Sequence, residues 1–130
     1  MALASGVGDI VEFHLKVARQ ITATTTDALL FKVPFKCRIV KVIGAVGAIG
    51  GTVDPTDVDL MIENGTTDIL SAQIAAVDAS AIASAPVTGT VAAGQDALAE
   101  DDVIHLDVTV TGGTSPTVDD VDVWVYAVRE

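Results

Sequence analysis

The 130-residue chain has one cysteine, Cys37, so no disulfide can form within it. Its two histidines, His14 and His105, show no spacing that is typical of a zinc site. Aromatic residues are also few: three Phe, one Trp and one Tyr. A chain of this length can bury enough apolar surface to fold without disulfides or metal ions. We therefore expect Cys37 to be a small buried side chain in a single domain that needs no cofactor.

Long apolar runs are missing as well. The start of the chain, MALASGVGDI, has neither the charged n-region nor the long apolar h-region of a secretory signal. The longest weakly polar run, residues 39–51, is interrupted by Lys41 and is too short and too rich in glycine to cross a bilayer. These features predict a protein that is made in the cytoplasm and has no membrane partner.

Basic residues are scarce, because 7 Lys and Arg stand against 18 Asp and Glu and give a net charge of −11. Nucleic-acid binding needs a clustered basic surface, so this balance argues against a nucleic-acid partner. Six of the seven bases lie in residues 1–43 beside three acids, whereas the remainder carries one base and fifteen acids. If the bases of residues 1–43 share one surface, that surface would suit an acidic protein partner. The alternative is that these bases lie on solvated strand faces and contact no partner.

Three segments alternate apolar and polar residues with the period of two that is typical of a half-buried strand. They are residues 9–19, 102–111 and 121–128. The side chains predicted to face the core are Val11, Phe13, Leu15 and Val17, then Ile104, Leu106, Val108 and Val110, and finally Val121, Val123, Val125 and Ala127. Trp124 and Tyr126 share the opposite face of the last strand. An aromatic pair there indicates that this second face is also covered, by a neighbouring subunit or by the other sheet.

The middle of the chain contains two further predicted strands, separated by Pro34. The first, residues 28–33, must end at this proline or lie at a sheet edge, because proline has no N–H to donate. The second, residues 36–46, has apolar residues on both faces and is predicted to be central. Its first face holds Cys37, Ile39 and Lys41, and its second face holds Arg38, Val40 and Val42. Four glycines, at positions 44, 47, 50 and 51, are predicted to loosen the chain after it.

A hairpin is predicted around Asn64-Gly65. Residues 58–63 alternate, with Val58, Leu60 and Ile62 inward, and Asn-Gly favours a type I′ turn at this point. The spacing of apolar residues in 71–99 does not clearly predict a secondary structure. Their Ala-rich first half could form a short helix, and their second half is typical of a loop with a short strand.

About seven short strands with regular turns predict an all-β fold: a single-domain antiparallel β-sandwich, since half-buried strands must stack on a second sheet. We divide the chain into a short N-terminal arm, residues 1–8, and a sandwich domain, residues 9–130. The arm is small, apolar and glycine-containing, and has little to pack.

Three acidic clusters offer the main alternative to a purely structural surface: Asp54, Asp57 and Asp59; Glu100, Asp101 and Asp102; Asp119, Asp120 and Asp122. Calcium prefers oxygen ligands from such loops, so two interpretations remain: a calcium site or a solvated acidic rim. None of the clusters has EF-hand spacing. No nucleophile elbow, Walker loop or paired His and carboxylate motif is present. We predict that the protein is not an enzyme.

The order of features from Phe31 to Glu130 resembles the small jelly-roll decoration, or cement, proteins on the capsids of tailed bacteriophages. The similarity rests on Val33-Pro34-Phe35, on the strand CRIVKVIGAVG, on the strand that ends in Glu63-Asn64-Gly65-Thr66, on the run AEDDVIHLDV and on the terminal VDVWVYAVRE. It covers about three quarters of the chain and implies that the sandwich is jelly-roll-like.

The resemblance also implies a function and partners. Such proteins sit on the outer capsid surface of the virion, usually as trimers, and tie neighbouring major capsid subunits together. It implies capsid contacts by Ala2, Leu3, Ala4 and Ser5 of the arm and by Lys16, Lys32, Lys36 and Arg38, and a subunit interface at Trp124 and Tyr126. The alternatives are a tail or neck structural protein, which would share fold and composition, and a β-sandwich that binds carbohydrate on a host surface. The second is less favoured because Trp124 and Tyr126 lie within a strand and not in loops.

Overall fold

All regular secondary structure in the computed structural model, which describes residues 8–130, is β. The all-β class and the two-sheet antiparallel sandwich are therefore confirmed. The arm's residues 1–7 lie outside the described range. The strands are β1 Ile10–Val17, β2 Thr25–Lys32, β3 Cys37–Gly50, β4 Asp57–Asn64, β5 Thr67–Asp68, β6 Ile74–Asp78, β7 Ala81–Ile82, β8 Val87–Gly89, β9 Ala97–Leu98, β10 Val103–Thr111 and β11 Thr117–Arg129.

Two antiparallel sheets pack face to face. The first sheet has the order β1-β11-β3-β8, with β9 also paired to β3; the second has the order β2-β10-β4-β6-β7, with β5 also paired to β4. The chain crosses between the sheets at each step from β1 to β4. Strands that are neighbours in a sheet are therefore distant in sequence, as in the β1–β11 pair.

The core follows the predicted alternation in β1, β10 and β11. Phe13, Leu15 and Val17 are buried in β1, as are Ile104, Leu106 and Val108 in β10 and Val121, Val123, Val125 and Ala127 in β11; Val11 and Val110 are half-buried against this core. All buried side chains in residues 8–130 are apolar. The apolar interior supplies the main stabilising term, and a partner would have to meet an outer face or a loop.

The predicted facing of β3 is wrong beyond Ile39. Cys37 and Ile39 point inward, but Lys41 is exposed and Val42 is fully buried. The cause is a β-bulge: Tyr126 pairs with Lys41 and the next β11 residue, Ala127, pairs with Ile39. One extra residue on β3 shifts every later side chain to the other face.

The glycines of β3 do not end the strand, which continues to Gly50. Gly44 lies in the core, where an added Cβ would come within 3.1 Å of both Ile74 Cδ1 and Leu60 Cδ1. A larger side chain here would displace these two side chains, because the second sheet approaches the backbone closely. The prediction that these glycines loosen the chain is wrong. At Gly44 the absence of a side chain allows close packing between the sheets.

The predicted hairpin is confirmed, but its turn is shifted by one residue. Asn64 pairs with Thr67, which leaves Gly65 and Thr66 as the two-residue loop. Gly65 has φ +63°, and glycine at the first central position is typical of a type II′ turn. The helix considered for residues 71–99 is wrong: the segment forms β6, β7, β8, β9 and loops.

Candidate subunit interface on the outer face of the first sheet

The outer face of the first sheet is centred on β11, which lies between β1 and β3. Asp122, Trp124 and Tyr126 alternate with buried residues and therefore point outward, each half-buried. Trp124 lies opposite His14 on β1 and Ile43 on β3. We call the outward side chains of these three strands the aromatic face.

His14 covers one side of the tryptophan. Its ring is stacked on Trp124 with centroids 5.1 Å apart and planes inclined by 11°. Its Nε2 lies 2.7 Å from Oδ1 of Asp122, whose side chain is only 14% exposed. Lys16 Nζ lies 3.6 Å from the same oxygen. The acid on β11 thus orients the imidazole, which stacks on the indole.

Tyr126 is fixed in the same way by the strand beside it. Its hydroxyl donates a hydrogen bond of 3.0 Å to Oε1 of Glu12. This hydrogen bond, with a smaller contribution from desolvation, raises the pKa of Tyr126, because the carboxylate disfavours a phenolate. Both aromatic side chains are thus held by polar partners on β1.

This arrangement suits contact with a protein surface better than binding of a sugar. A sugar would stack on the open face of an aromatic ring, but His14 already covers one face of Trp124 and Ile43 lies across the strand on the other side. Half-buried Trp and Tyr residues surrounded by charged side chains are typical of the centre and rim of protein interfaces.

Comparison of the chain with protein-family models, with curated proteins and with solved structures gave no match. The function is therefore argued from the residues themselves. Among residues 8–130 no helix is long and apolar enough to span a membrane.

The four bases predicted to contact a capsid are distributed over both sheets. Lys16 belongs to the aromatic face, whereas Lys32 ends β2 in the second sheet, 3.4 Å from Asp101. Arg38 bonds to Asp96 at 3.0 Å and lies 3.5 Å from Glu130. Exposed ion pairs of this kind contribute little to stability, so a partner could exchange them at little cost.

Lys36 and Arg38 nevertheless lie at the same end of the first sheet as Gly8, the first described residue. Gly8 N–H donates to the carbonyl of Arg129, and Arg129 lies opposite Cys37. The side chain of Arg129 in turn covers the ring of Phe35, with its Cζ 4.5 Å from the ring centroid. The predicted arm contacts, Ala2 to Ser5, lie outside the described residues, but the arm joins the sandwich at this end.

The acidic clusters considered for calcium are not brought together. In the part of the chain that the structure describes, no group of three His, Cys, Asp or Glu side chains is placed to hold a metal ion. Asp122 instead bonds to His14, Asp119 accepts the amide of Gln20, and Asp102 accepts the Asn64 amide and the Ala99 N–H.

Sequence reasoning missed two features of the surface. One is an open cleft of about 440 Å³ beside the β3 bulge, lined by Val40, Lys41 and residues 88–94. The other is a polar cluster on the outer face of the second sheet, which joins Asp27, Glu63, His105 and Asp107. The cluster combines residues of three strands, Asp27 of β2, Glu63 of β4, and His105 and Asp107 of β10, so no local spacing points to it.

Proposed function

We propose that this protein is a structural component of a virion that binds the outer surface of a tailed-bacteriophage capsid and stabilises it by bridging neighbouring major capsid subunits. The observation that carries the proposal is the strand order. Leaving aside the short β5, β7 and β9, β1-β11-β3-β8 faces β2-β10-β4-β6, which supports a jelly roll of eight strands in two sheets. Jelly rolls are common in viral capsid domains.

The aromatic face supports assembly into a trimer. His14 stacks on Trp124 and Glu12 accepts a hydrogen bond from Tyr126, so few side chains would need to be ordered when a second copy binds. A trimer that touches several capsid subunits would gain affinity through effective concentration, without a tight single site.

The end of the first sheet where the arm begins supports a role in capsid contact. Gly8, the last residue of the arm, bonds to Arg129, and Lys36 and Arg38 lie at the same end; in this proposal Ala2, Leu3, Ala4 and Ser5 contact the capsid. A capsid surface with carboxylates could replace Asp96 and Glu130 as partners of Arg38. In this proposal Lys32, which ends β2 four residues before Lys36, contributes from the second sheet, and Lys16 contributes from the aromatic face.

The first experiment is to measure the mass of the purified full chain in solution and then its co-sedimentation with undecorated capsids of the phage that encodes it. We expect a mass three times that of the 13.3 kDa chain and pelleting with capsids. A trimer that stays in the supernatant would overturn the capsid function and favour a tail, neck or host-surface role. A monomer would overturn the trimer.

A matched pair of variants tests the interface. Trp124→Arg places a charge at the centre of the aromatic face and should give monomers. Leu30→Arg places the same charge on the second sheet, where Leu30 is 58% exposed, and should leave the trimer intact. Monomers from Leu30→Arg and trimers from Trp124→Arg would assign the interface to the other sheet. Circular dichroism of both variants verifies that they fold.

A further inference from the structure

β1 differs from the other edge strands that the structure describes, because it is both long and regular. It pairs with β11 over its whole length without a register shift, and no strand within residues 8–130 pairs with its other edge. By contrast, β5, β7 and β9 have two residues each, β8 has three, and β2 has a bulge between Thr25 and Leu29. A long regular edge presents unpaired backbone groups, and proteins commonly shorten or bulge the edges that they leave free.

The open edge of β1 presents the backbone groups of every second residue. Arg129 N–H donates to the carbonyl of Asp9 at 3.0 Å, so the odd-numbered residues that follow Asp9 exchange their backbone hydrogen bonds with β11 along the continuous ladder. The even-numbered residues therefore direct their N–H and C=O groups away from β11, and their side chains are exposed. These residues are Ile10, Glu12, His14 and Lys16. They form a row of donors and acceptors that a second strand can meet.

The sequence of β1 and its flanks is self-complementary about His14. When two copies are aligned antiparallel with His14 opposite His14, every Asp, Glu, Lys and Arg of residues 9–19 lies opposite a residue of the other charge. The facing pairs are Asp9 and Arg19, Glu12 and Lys16, Ile10 and Ala18, Val11 and Val17, and Phe13 and Leu15. A shift of two residues loses this match, because it places Lys16 opposite Ile10 or Glu12 opposite Ala18. A parallel pair in register would place like charges side by side.

We infer that two copies of this chain pair antiparallel along the free edges of β1, so that their first sheets join into one sheet across a two-fold axis at His14. Glu12, His14 and Lys16 each exchange both backbone hydrogen bonds with the residue opposite. Glu12 of one copy lies opposite Lys16 of the other, where opposite charges stabilise a strand pair and like charges destabilise it. Ile10, which is 68% exposed in the single chain, comes to lie opposite Ala18.

The contacts that Glu12 and Lys16 make within the chain are compatible with this pairing. Glu12 accepts one hydrogen bond, from the Tyr126 hydroxyl, and a carboxylate can accept several. Lys16 Nζ lies 3.6 Å from Asp122 Oδ1 with its side chain 52% exposed, and an ammonium group has three donors. Both side chains can therefore keep their partners on β11 while they meet each other across the new strand pair.

The strand pair is separate from the proposed trimer and does not depend on the capsid. It uses the backbone edge of β1, whereas the trimer covers the aromatic face. Only one strand of each copy takes part, so the interface is small and association requires a high protein concentration. Where the trimer also forms, strand pairs link neighbouring trimers.

Cysteine substitutions test the register on the full chain. Glu12→Cys and Lys16→Cys proteins are mixed, treated with a mild oxidant and analysed by non-reducing electrophoresis. Opposite residues in a hydrogen-bonded pair have Cα atoms about 5.5 Å apart, within reach of a disulfide, so we expect the mixture to cross-link. Neither protein should cross-link alone, because its two new cysteines lie about 13 Å apart along the strands. The native Cys37 is fully buried and is common to all samples.

The same mixture in the Trp124→Arg background separates the strand pair from the trimer. We expect the cross-link to persist in this background, since the strand pair does not use the aromatic face. Loss of the cross-link together with the trimer would assign the contact to the trimer and overturn a separate strand pair. A persistent cross-link with loss of the trimer would support both interfaces.

Charge reversal gives a second test, by sedimentation velocity over a range of protein concentrations. Glu12→Lys and Lys16→Glu each place like charges opposite one another, and each should raise the concentration needed for pairing about tenfold or more. The double variant restores opposite charges and should pair like the wild type. An effect of net charge would not give this pattern, because Glu12→Lys makes the chain less negative and Lys16→Glu makes it more negative. A double variant that pairs no better than the single variants, or a cysteine mixture that does not cross-link, would overturn the inference.

Discussion

The imidazole of His14 lies nearly parallel to the indole of Trp124, with ring centroids 5.1 Å apart, across the β1–β11 pair. The two residues are separated by more than a hundred positions in the sequence and meet because β11 returns alongside β1. Asp122, two residues before the tryptophan, accepts from the same imidazole. These contacts join the imidazole, the indole and the carboxylate on the outer face of the first sheet.

Removal of His14 should loosen that surface. We expect His14→Ala to reduce the free energy of unfolding by about 0.5–1 kcal/mol, because the stacked pair and its bond to Asp122 lie at the surface. The chain has one tryptophan, so its fluorescence in urea titrations reports this face directly. The emission of Trp124 should also shift to the red as the ring meets water.

Lys16→Ala is the matched control, since it also removes a partner of Asp122 but leaves the stack intact. Its effect on stability should be smaller, and its emission maximum should stay in place. An equal red shift in both variants would mean that the stack does not shield the indole.

Gly44 provides a test of the close approach between the sheets. We expect Gly44→Ala to destabilise the protein by about 1–3 kcal/mol, because the added methyl group would overpack the core. The new Cβ would meet Ile74 Cδ1 and Leu60 Cδ1, both at 3.1 Å. Urea unfolding of the variant measures the loss.

The same site allows a double-mutant cycle. Ile74→Val removes the clashing Cδ1, so it should cost less in the Gly44→Ala background than in the wild type, where about 0.5–1.5 kcal/mol is usual. Strictly additive effects would show that the methyl group is accommodated elsewhere.

Cys37 should react only when the protein unfolds. Its side chain is fully buried, and burial, followed by the charges of Glu130 and Asp102, raises the pKa of the thiol. The reaction with a thiol reagent in native buffer should therefore follow the opening of the fold and slow further when the fold is stabilised. Rapid labelling under native conditions would contradict this burial.

Two substitutions of Cys37 distinguish the effect of lost packing on stability from the effect of a buried polar group. Cys37→Ala should be tolerated better than Cys37→Ser, because a buried hydroxyl without a partner costs about 1–3 kcal/mol. Equal midpoints in denaturant for the two variants would show that the hydroxyl finds a partner or water.

Local alternation predicted much of this fold. The inward residues of β1, β10 and β11, the hairpin after β4 and the end of β2 before Pro34 all follow from the period of two and from turn chemistry. The outward placement of Trp124 and Tyr126 came from the same pattern. These segments are long, and their apolar residues are regularly spaced.

The errors fall where tertiary contacts override that pattern. Nothing in CRIVKVIGAVG signals the extra residue at Val40, which is visible only from its pairing with β11. Gly44 is a packing glycine, and only Leu60 and Ile74 of the other sheet show this. The cluster around Asp27 escaped prediction because an aspartate at positive φ depends on Asp107, eighty residues later.

The last prediction concerns the arm and the bases at its end of the sheet. Both sheets are formed within residues 8–130, so deletion of residues 1–7 should leave the thermal unfolding midpoint unchanged while it abolishes co-sedimentation with capsids. Lys36→Glu should weaken capsid binding as well, and more strongly at low salt, because attraction between charges is screened as ionic strength rises. Arg19→Glu makes the same charge change at the opposite end of β1 and should bind normally. Normal capsid occupancy by the truncated protein would disprove the role of the arm. Equal losses of capsid binding in Lys36→Glu and Arg19→Glu would show that binding depends on net charge and not on the position of Lys36.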